Sequence, residues 1–488
     1  MNFRGHNESS RGRARLLLAG MASALLLASV FAAGPAPNAS AQTGDPVNPG
    51  ARTASGPPRV VVADIDSGIN VYHSFFYAGG EPYKTAAPSS VTPEVLAAFG
   101  IDAAHQIELT RTGNFAADYA ADLSRVWSNI RRGEPYWFKG TNVIAVSFVP
   151  GTRPVLPDDA DDTHGFGTAS AVVRANPETV VLFVEGISDE SERYTFTHPE
   201  VDVVTTSYGI PGSLPLPAAV FGTEYTHLNQ SFYGVVNLGK LHFGAADNSP
   251  ALSPPDGTSG PWWSIGIAGF QEASEGTTPA DPGSNGKQLV SGSLPDFVAD
   301  FTQVLPYCAD CESGGLSSVS GTSFATPRSA GTASKLILEV RRALGHVGGM
   351  NYRSDTGEPT LAYGSGRRIT NWQVRRALEQ AAYFPRVTEY QPTTTGTYNL
   401  TAVPVLDPVP WATVGWGVIT TAPSRDVIGQ ALAALGIRGT LTRAKGPDAC
   451  AFMSAQVQAR HLFWDNWINS QSNGFSSTGQ DPYIYCGQ

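Results

Sequence analysis

Short, nearly unbroken apolar runs recur from residue 59 onward: RVVVADI from Arg59, TNVIAVSFV from Thr141, TVVLFVEG from Thr179, VDVVTTSYG from Val201 and KLHFGAADN from Lys240. Such runs are β-branched and do not alternate with polar positions, which predicts strands buried on both faces. Helical patterns lie among and after them: FAADYAADLSRVWSNI from Phe115, THGFGTASAVVRA from Thr163, TASKLILEVRRAL from Thr332 and NWQVRRALEQAA from Asn371. Buried strands alternating with helices predict an α/β fold, a mostly parallel sheet with helices on both faces. There is no internal repeat. Pro- and Thr-rich segments at 251–261 and 391–410 read as surface loops.

The N-terminus has a different pattern. Arg4, Arg11, Arg13 and Arg15 precede an apolar run from Leu16 to Ala33, and Ala39-Ser40-Ala41 offers a small-x-small exit. This is the signature of a secretory signal peptide over residues 1–41, with an uncleaved anchor as the runner-up. Residues 42–58, QTGDPVNPGARTASGPP, read as a flexible leader.

Composition is that of a globular protein, 41% hydrophobic and 15% charged. Without residues 1–41 the chain carries 28 Lys plus Arg against 41 Asp plus Glu. That negative balance repels phosphate backbones and argues against nucleic acid as a partner. Four cysteines, Cys308, Cys311, Cys450 and Cys486, make an even count. In an exported chain this favours two disulfides, and the spacing suggests Cys308 with Cys311 and Cys450 with Cys486. Cys308-Ala-Asp-Cys311 also fits a redox pair or half a zinc site, but no second CxxC or HExxH accompanies it.

Chemistry concentrates in three short motifs. Ser323, in Gly321-Thr-Ser-Phe-Ala-Thr-Pro327, sits where a helix begins. There, backbone N–H groups and the positive end of the helix dipole can hold an oxyanion. A serine hydroxyl needs a general base, so this motif demands a histidine elsewhere. Of nine histidines only His164 is followed by Gly, in Asp162-Thr-His-Gly-Phe-Gly-Thr-Ala-Ser170, whose small residues allow close packing. A base histidine works best beside a buried carboxylate. Asp66, in Ile65-Asp-Ser-Gly68, stands where a buried strand ends; Asp64 is its rival but lies inside the strand run.

The chain order Asp66, His164, Ser323 is the order found in subtilisin. Gly321-Thr-Ser-Phe-Ala-Thr-Pro327 matches Gly-Thr-Ser-x-Ala-x-Pro at every specified position, and the chain resembles the subtilisin-like serine proteases, of the secreted bacterial type. Phe243-Gly-Ala-Ala-Asp-Asn248 resembles the family segment that ends Ala-Ala-Gly-Asn. That match implies Asn248 as side-chain donor of an oxyanion hole, with the Ser323 N–H as the second donor. Asp202-Val-Val-Thr-Thr-Ser-Tyr-Gly209 resembles the strand that pairs with extended substrate, which implies Ser207, Tyr208 and Gly209 as substrate-binding residues. Later matches at Thr370–Leu378 and Val414–Val418 carry the resemblance to about residue 420.

The resemblance implies a subtilisin-like three-layer fold over 59–435, with an insertion at about 77–140 and a C-terminal extension at 436–488. It implies a secreted, monomeric endopeptidase that acts on protein or peptide substrates without a catalytic cofactor and without a stable membrane partner. Structural calcium often accompanies such extracellular enzymes; the run Asp158, Asp159, Asp161 and Asp162 is acidic, but no residues are assigned to an ion. Departures exist as well. Phe166 replaces the usual Thr two residues after the histidine, and Asp247 puts a carboxylate next to Asn248. They motivate a second reading, an exported non-catalytic binding protein on the same fold. A sedolisin-type peptidase with a Glu base is disfavoured by the His-Gly-x-Gly context of His164. The leader 42–58 is too short for a folded inhibitory propeptide.

Overall fold

The computed structural model describes residues 57–79, 90–149, 151, 153–209, 222–246, 248, 257–270, 289–290, 295–348, 360–364, 366–384, 414–443, 445, 450–451 and 453–455. Asp247, Cys486, His461 and the segments 1–41 and 391–410 lie outside the described residues.

The first apolar run becomes β1 (Val61–Asp66), in which every residue is buried. It pairs in parallel with β5 (Val180–Glu185) on one side and β6 (Val203–Thr206) on the other. Beyond β6 follow β7 (Leu241–Ala245), β8 (Ile265–Phe270) and β10 (Phe297–Asp300), all parallel. Beyond β5 lies β4 (Val143–Ser147), also parallel, and then β3 (Tyr136–Phe138), antiparallel to it, with the short β2 (Gln106–Ile107) at the edge. Another short strand, β9 (Leu289–Val290), runs antiparallel to β8. The expected mostly parallel sheet is therefore present.

The two faces of β1 bury different cores. Val60 and Val62 pack with α3 (His164–Ala175) and α6 (Thr322–Leu344). Val61, Ala63 and Ile65 pack with α1 (Pro93–Ala98) and α4 (Asp189–Thr197). Period-two geometry makes this division, and it places Asp64 and Asp66 on the α3/α6 face. On the second side α5 (Gly222–Phe232) meets α4 through the His227 and Phe196 rings, and helices thus cover both sides, as the buried runs require.

Two helices differ from the pattern of the sequence. The run from Phe115 is α-helical only as α2 (Phe115–Asp122), followed by turns and a short 3-10 helix at Trp127–Asn129. There the buried Asp122 carboxylate accepts the Thr110 N–H and hydroxyl, and Trp127 donates its indole N–H to Tyr72. These inward ties replace a continued helix. Conversely, α6 starts ten residues before the Thr332 pattern and runs through Pro327. Proline removes the donor that would reach the carbonyl four residues back, that of Ser323. The Ser207 hydroxyl donates to that carbonyl instead, at 2.8 Å.

At its far end α6 is anchored by Arg341. The buried guanidinium donates to both Asp202 oxygens at 2.6 and 2.7 Å and to the Arg59 carbonyl at 2.6 Å. Asp202 in turn accepts the Val61 N–H at 3.0 Å. A helix fastened there and running against the strands must begin at their carboxyl ends, where parallel sheets build sites.

Candidate active site

Asp66 ends β1, and the turn after it is tied to the start of α3. Its Oδ1 accepts the Ser67 N–H at 2.7 Å. The Ser67 hydroxyl donates to the Asp162 carbonyl at 2.9 Å and accepts the Gly165 N–H at 3.0 Å. Gly165 has no room for a side chain: a Cβ would stand 2.7 Å from the Phe183 ring and 3.1 Å from the Asp66 Cβ. This close approach sets His164 Nδ1 at 2.8 and 3.0 Å from the two Asp66 oxygens. A carboxylate only accepts, so Nδ1 carries the proton and Nε2 is left as the basic edge. Burial pushes the His164 pKa down, but the charge and hydrogen bond of Asp66, with a further push from Asp64, leave it raised above the ordinary value.

Ser323 is the second residue of α6, so its N–H is one of the four at a helix start that lack an intrahelical acceptor. Gly321, at the cap, has φ 153° and ψ 159°, a conformation essentially confined to glycine. Asn248 accepts the Thr322 N–H at 2.9 Å and the Thr322 hydroxyl at 3.1 Å through Oδ1. The Asn248 side chain is therefore fastened to the residue just before Ser323. The Phe324 ring, following Ser323, lies 5.4 Å from the His164 ring between centroids.

The structure thus joins Asp66 to His164 and Asn248 to the residue before Ser323, and it brings the residue after Ser323 beside the His164 ring. The Ser323 hydroxyl donates to the Ser207 carbonyl at 3.1 Å, and no hydrogen bond joins it to His164. Ser207 therefore binds Ser323 twice, through its carbonyl and through its hydroxyl. Of the other two residues read as substrate-binding, Gly209 is exposed, while the Tyr208 phenol donates to the buried Glu192, which also meets His227 Nδ1 at 3.0 Å. Phe166 points away from the site: it is fully buried against His73 and Phe76, with centroids 5.3 and 5.6 Å away.

Three contributors escaped sequence reading. Ser67 looked like part of a turn, but it couples β1 to α3. Asp64 lies inside the strand run, yet its carboxyl group meets the Thr168 hydroxyl at 2.8 Å. Thr168 itself stands four residues after His164, and that spacing on a helix was the available signal.

Among the described residues, one His/Cys/Asp/Glu group gathers its ligand atoms closely enough for a metal: His73, Cys308 and Cys311. The two cysteines are joined in a disulfide, the bridge the spacing suggested. His73 Nδ1 accepts the Phe75 N–H and Nε2 meets the Gly314 carbonyl at 3.0 Å, so both ring nitrogens are committed. Cys450 is disulfide-bonded too. The acidic run uses its carboxylates locally: Asp159 accepts the Asp161 N–H, and Asp162 accepts the Asp158 N–H.

No known family profile and no curated protein matches the chain. Solved structures similar to it include a lanthipeptide protease, at 14% identity over 77% of this chain and 88% of that one, with a TM-score of 0.42. Fervidolysin from Fervidobacterium pennivorans, a keratinolytic enzyme related to subtilisin, is 13% identical over 76% of this chain and 42% of its own, with a TM-score of 0.37. A cold adapted subtilisin-like serine proteinase is 14% identical over 70% of this chain and 89% of its own, with a TM-score of 0.34.

Proposed function

We propose that the chain is an exported serine endopeptidase of the subtilisin-like family, acting on protein or peptide substrates. The observation that carries this reading is the two-oxygen contact of Asp66 with His164 Nδ1, because it fixes the tautomer a general base requires. Export rests on residues 1–41 as a signal peptide, and among the described residues no helix is long and apolar enough to cross a membrane.

In the proposed reaction an extended peptide lies along Ser207–Gly209 with its scissile carbonyl at Ser323. The Ser323 hydroxyl leaves the Ser207 carbonyl for His164 Nε2, a tightening expected when substrate completes such a site. Ser323 Oγ bonds to the carbonyl carbon as His164 takes its proton, and Asp66 stabilises the imidazolium. The oxyanion is held by the Ser323 N–H and by Asn248, whose Oδ1 is turned to Thr322 and whose Nδ2 is the donor. His164 returns the proton to the departing amine, and the acyl-enzyme remains. Water then repeats the sequence: His164 takes its proton, the acyl–oxygen bond breaks, and Ser323 regains its hydrogen.

The Ser323–Ser207 hydrogen bond favours the second reading, a binding protein that keeps the fold without catalysis. One experiment separates the two. The exported form should cleave an unstructured protein and take a fluorophosphonate label at Ser323, and Ser323→Ala should lose both while melting at an unchanged temperature. Undiminished cleavage by the variant sinks the peptidase reading; absence of label and cleavage in the parent chain leaves the binding protein.

A further inference from the structure

Asp64 is a carboxyl in the middle of a parallel strand, with 0% of its surface exposed. Its neighbours in register, Phe183 on β5 and Thr205 on β6, are equally buried. Being two residues from Asp66, it points to the same face of the sheet, toward α3. The link between the two acids is Thr168, itself fully buried. The Thr168 Oγ1 lies 2.8 Å from Asp64 Oδ2, 3.4 Å from Asp66 Oδ2 and 3.0 Å from the Gly165 carbonyl.

Hydrogen counting limits what this arrangement can be. Thr168 has one hydroxyl hydrogen and three oxygens around it. Asp66 already has the Ser67 N–H and His164 Nδ1, but an ionised Asp64 would hold a fully buried charge on the Thr168 hydroxyl alone. Protonation of Asp64 resolves the count. Its own O–H then donates to Thr168 Oγ1, and the Thr168 hydrogen is released toward the acceptors on its other side.

We propose that Asp64 is a positioning residue for the Asp66–His164 pair, donating to Thr168 so that the Thr168 hydroxyl supports the Asp66 carboxylate from behind. The inference rests on the reading of Asp66 and His164 as a catalytic pair. Other features agree with it. Burial first, and then the Asp66 charge, push the Asp64 pKa well above the carboxylate range, against the pull of Thr168 and His164. Asp64 Oδ1 and the Thr205 hydroxyl have no hydrogen-bond partner, so no second donor stabilises a charge on Asp64. The ionisable groups around it are Asp66 on its own strand, His164 on α3, Glu185 beyond Phe183 on β5, and Tyr208 after β6. None of them is a fixed cation.

A hydrogen bond to the back of Asp66 disperses its charge and weakens its hold on the imidazolium. A charge on Asp64 would push His164 up; protonated and donating through Thr168, Asp64 instead keeps His164 from becoming too basic to start the reaction as a free base. Asp64→Val removes the donor while restoring an apolar strand residue, and Asp64→Asn retains a donor without a charge. The imidazole protons of His164, followed by NMR in the resting protein, should titrate about half a unit or more higher in Asp64→Val and near the parent value in Asp64→Asn. The acid limb of peptide cleavage should move in the same way. An unmoved or lowered His164 titration in Asp64→Val, or equal shifts in the two variants, overturns the proposal. Should Asp64→Val not fold, the carboxyl carbon of Asp64 in the parent chain decides: its NMR shift at pH 7 must be that of a protonated acid, and an ionised signal overturns the proposal. These NMR readings need no turnover, so a failure of the peptidase reading would show separately, as a parent chain without Ser323-dependent cleavage.

Discussion

Ser207 and Ser323 exchange two hydrogen bonds: the Ser323 hydroxyl donates to the Ser207 carbonyl at 3.1 Å, and the Ser207 hydroxyl donates to the Ser323 carbonyl at 2.8 Å. The second bond exists because Pro327 has no N–H to give to that carbonyl. A proline inside α6 thus frees the Ser323 carbonyl as an acceptor, and the segment after β6 takes it. The motif that looks like a helix start is also a joint between the helix and the end of β6.

Removing the hydroxyl with Ser207→Ala leaves a part-buried carbonyl without its donor, a loss on the order of 1 kcal/mol in stability. In a Pro327→Ala background the alanine N–H can bond Ser323 as in any helix, and the same substitution should then cost clearly less. Urea denaturation of the four proteins measures the coupling. Equal costs of Ser207→Ala in both backgrounds would show that proline is not the reason for the contact.

Asp66→Asn tests the base. The amide can present N–H to Nδ1 and favour the wrong tautomer, and turnover should fall on the order of 10⁴-fold. The pH dependence has a defined sign. His164 must be neutral to accept a proton, so activity in the parent rises with pH through a pKa above the ordinary value of about 6.5. Without the Asp66 charge the downward push of burial gains weight, and the residual activity should begin at lower pH. Because the folded-state pKa of His164 is raised, the pair stabilises the parent fully below the unfolded value and loses that contribution as pH rises through the folded one. Rate profiles of the two proteins check the limb, and one that stays in place in Asp66→Asn contradicts the assignment.

Much of this was legible in the sequence because buried parallel strands announce themselves as unbroken apolar runs: β4, β5, β6 and β7 fall within the runs quoted above, and β1 overruns its own by one residue, Asp66. Asp66, His164 and Ser323 were legible through the small residues beside them, since Gly165 and Gly321 are required by the close approach and the backbone conformation at those positions. What stayed hidden depended on partners distant in the chain. Nothing near Pro327 indicates that Ser207 will supply the missing donor, and nothing near Asp64 shows that Thr168 will meet it. The effect of Phe166 was equally unreadable until His73 and Phe76, on a different segment, enclosed it.

Glu185, the register partner of Asp66, offers a test of buried charge next to the site. It accepts the Val155 N–H at 2.8 Å, while the Val155 carbonyl accepts the Ile69 N–H at 2.7 Å. Val155 is held at φ 77°, a strained conformation for a β-branched residue, in the loop that leads to His164. Burial above all, aided by the charges of Asp162 and Asp158, pushes the Glu185 pKa up to about 7. The folded chain therefore binds a proton at Glu185 that the unfolded chain releases near 4.5, and stability falls as pH rises between those values. Gln keeps an oxygen for Val155 and cannot ionise. Whatever its pH-independent cost, Glu185→Gln should gain on the parent between pH 4.5 and about 7 and hold that gain to pH 8, by about 3 kcal/mol at most. Thermal melts of both proteins across that range measure the difference, and a gap that does not change with pH would show that Glu185 enters the folded state already charged.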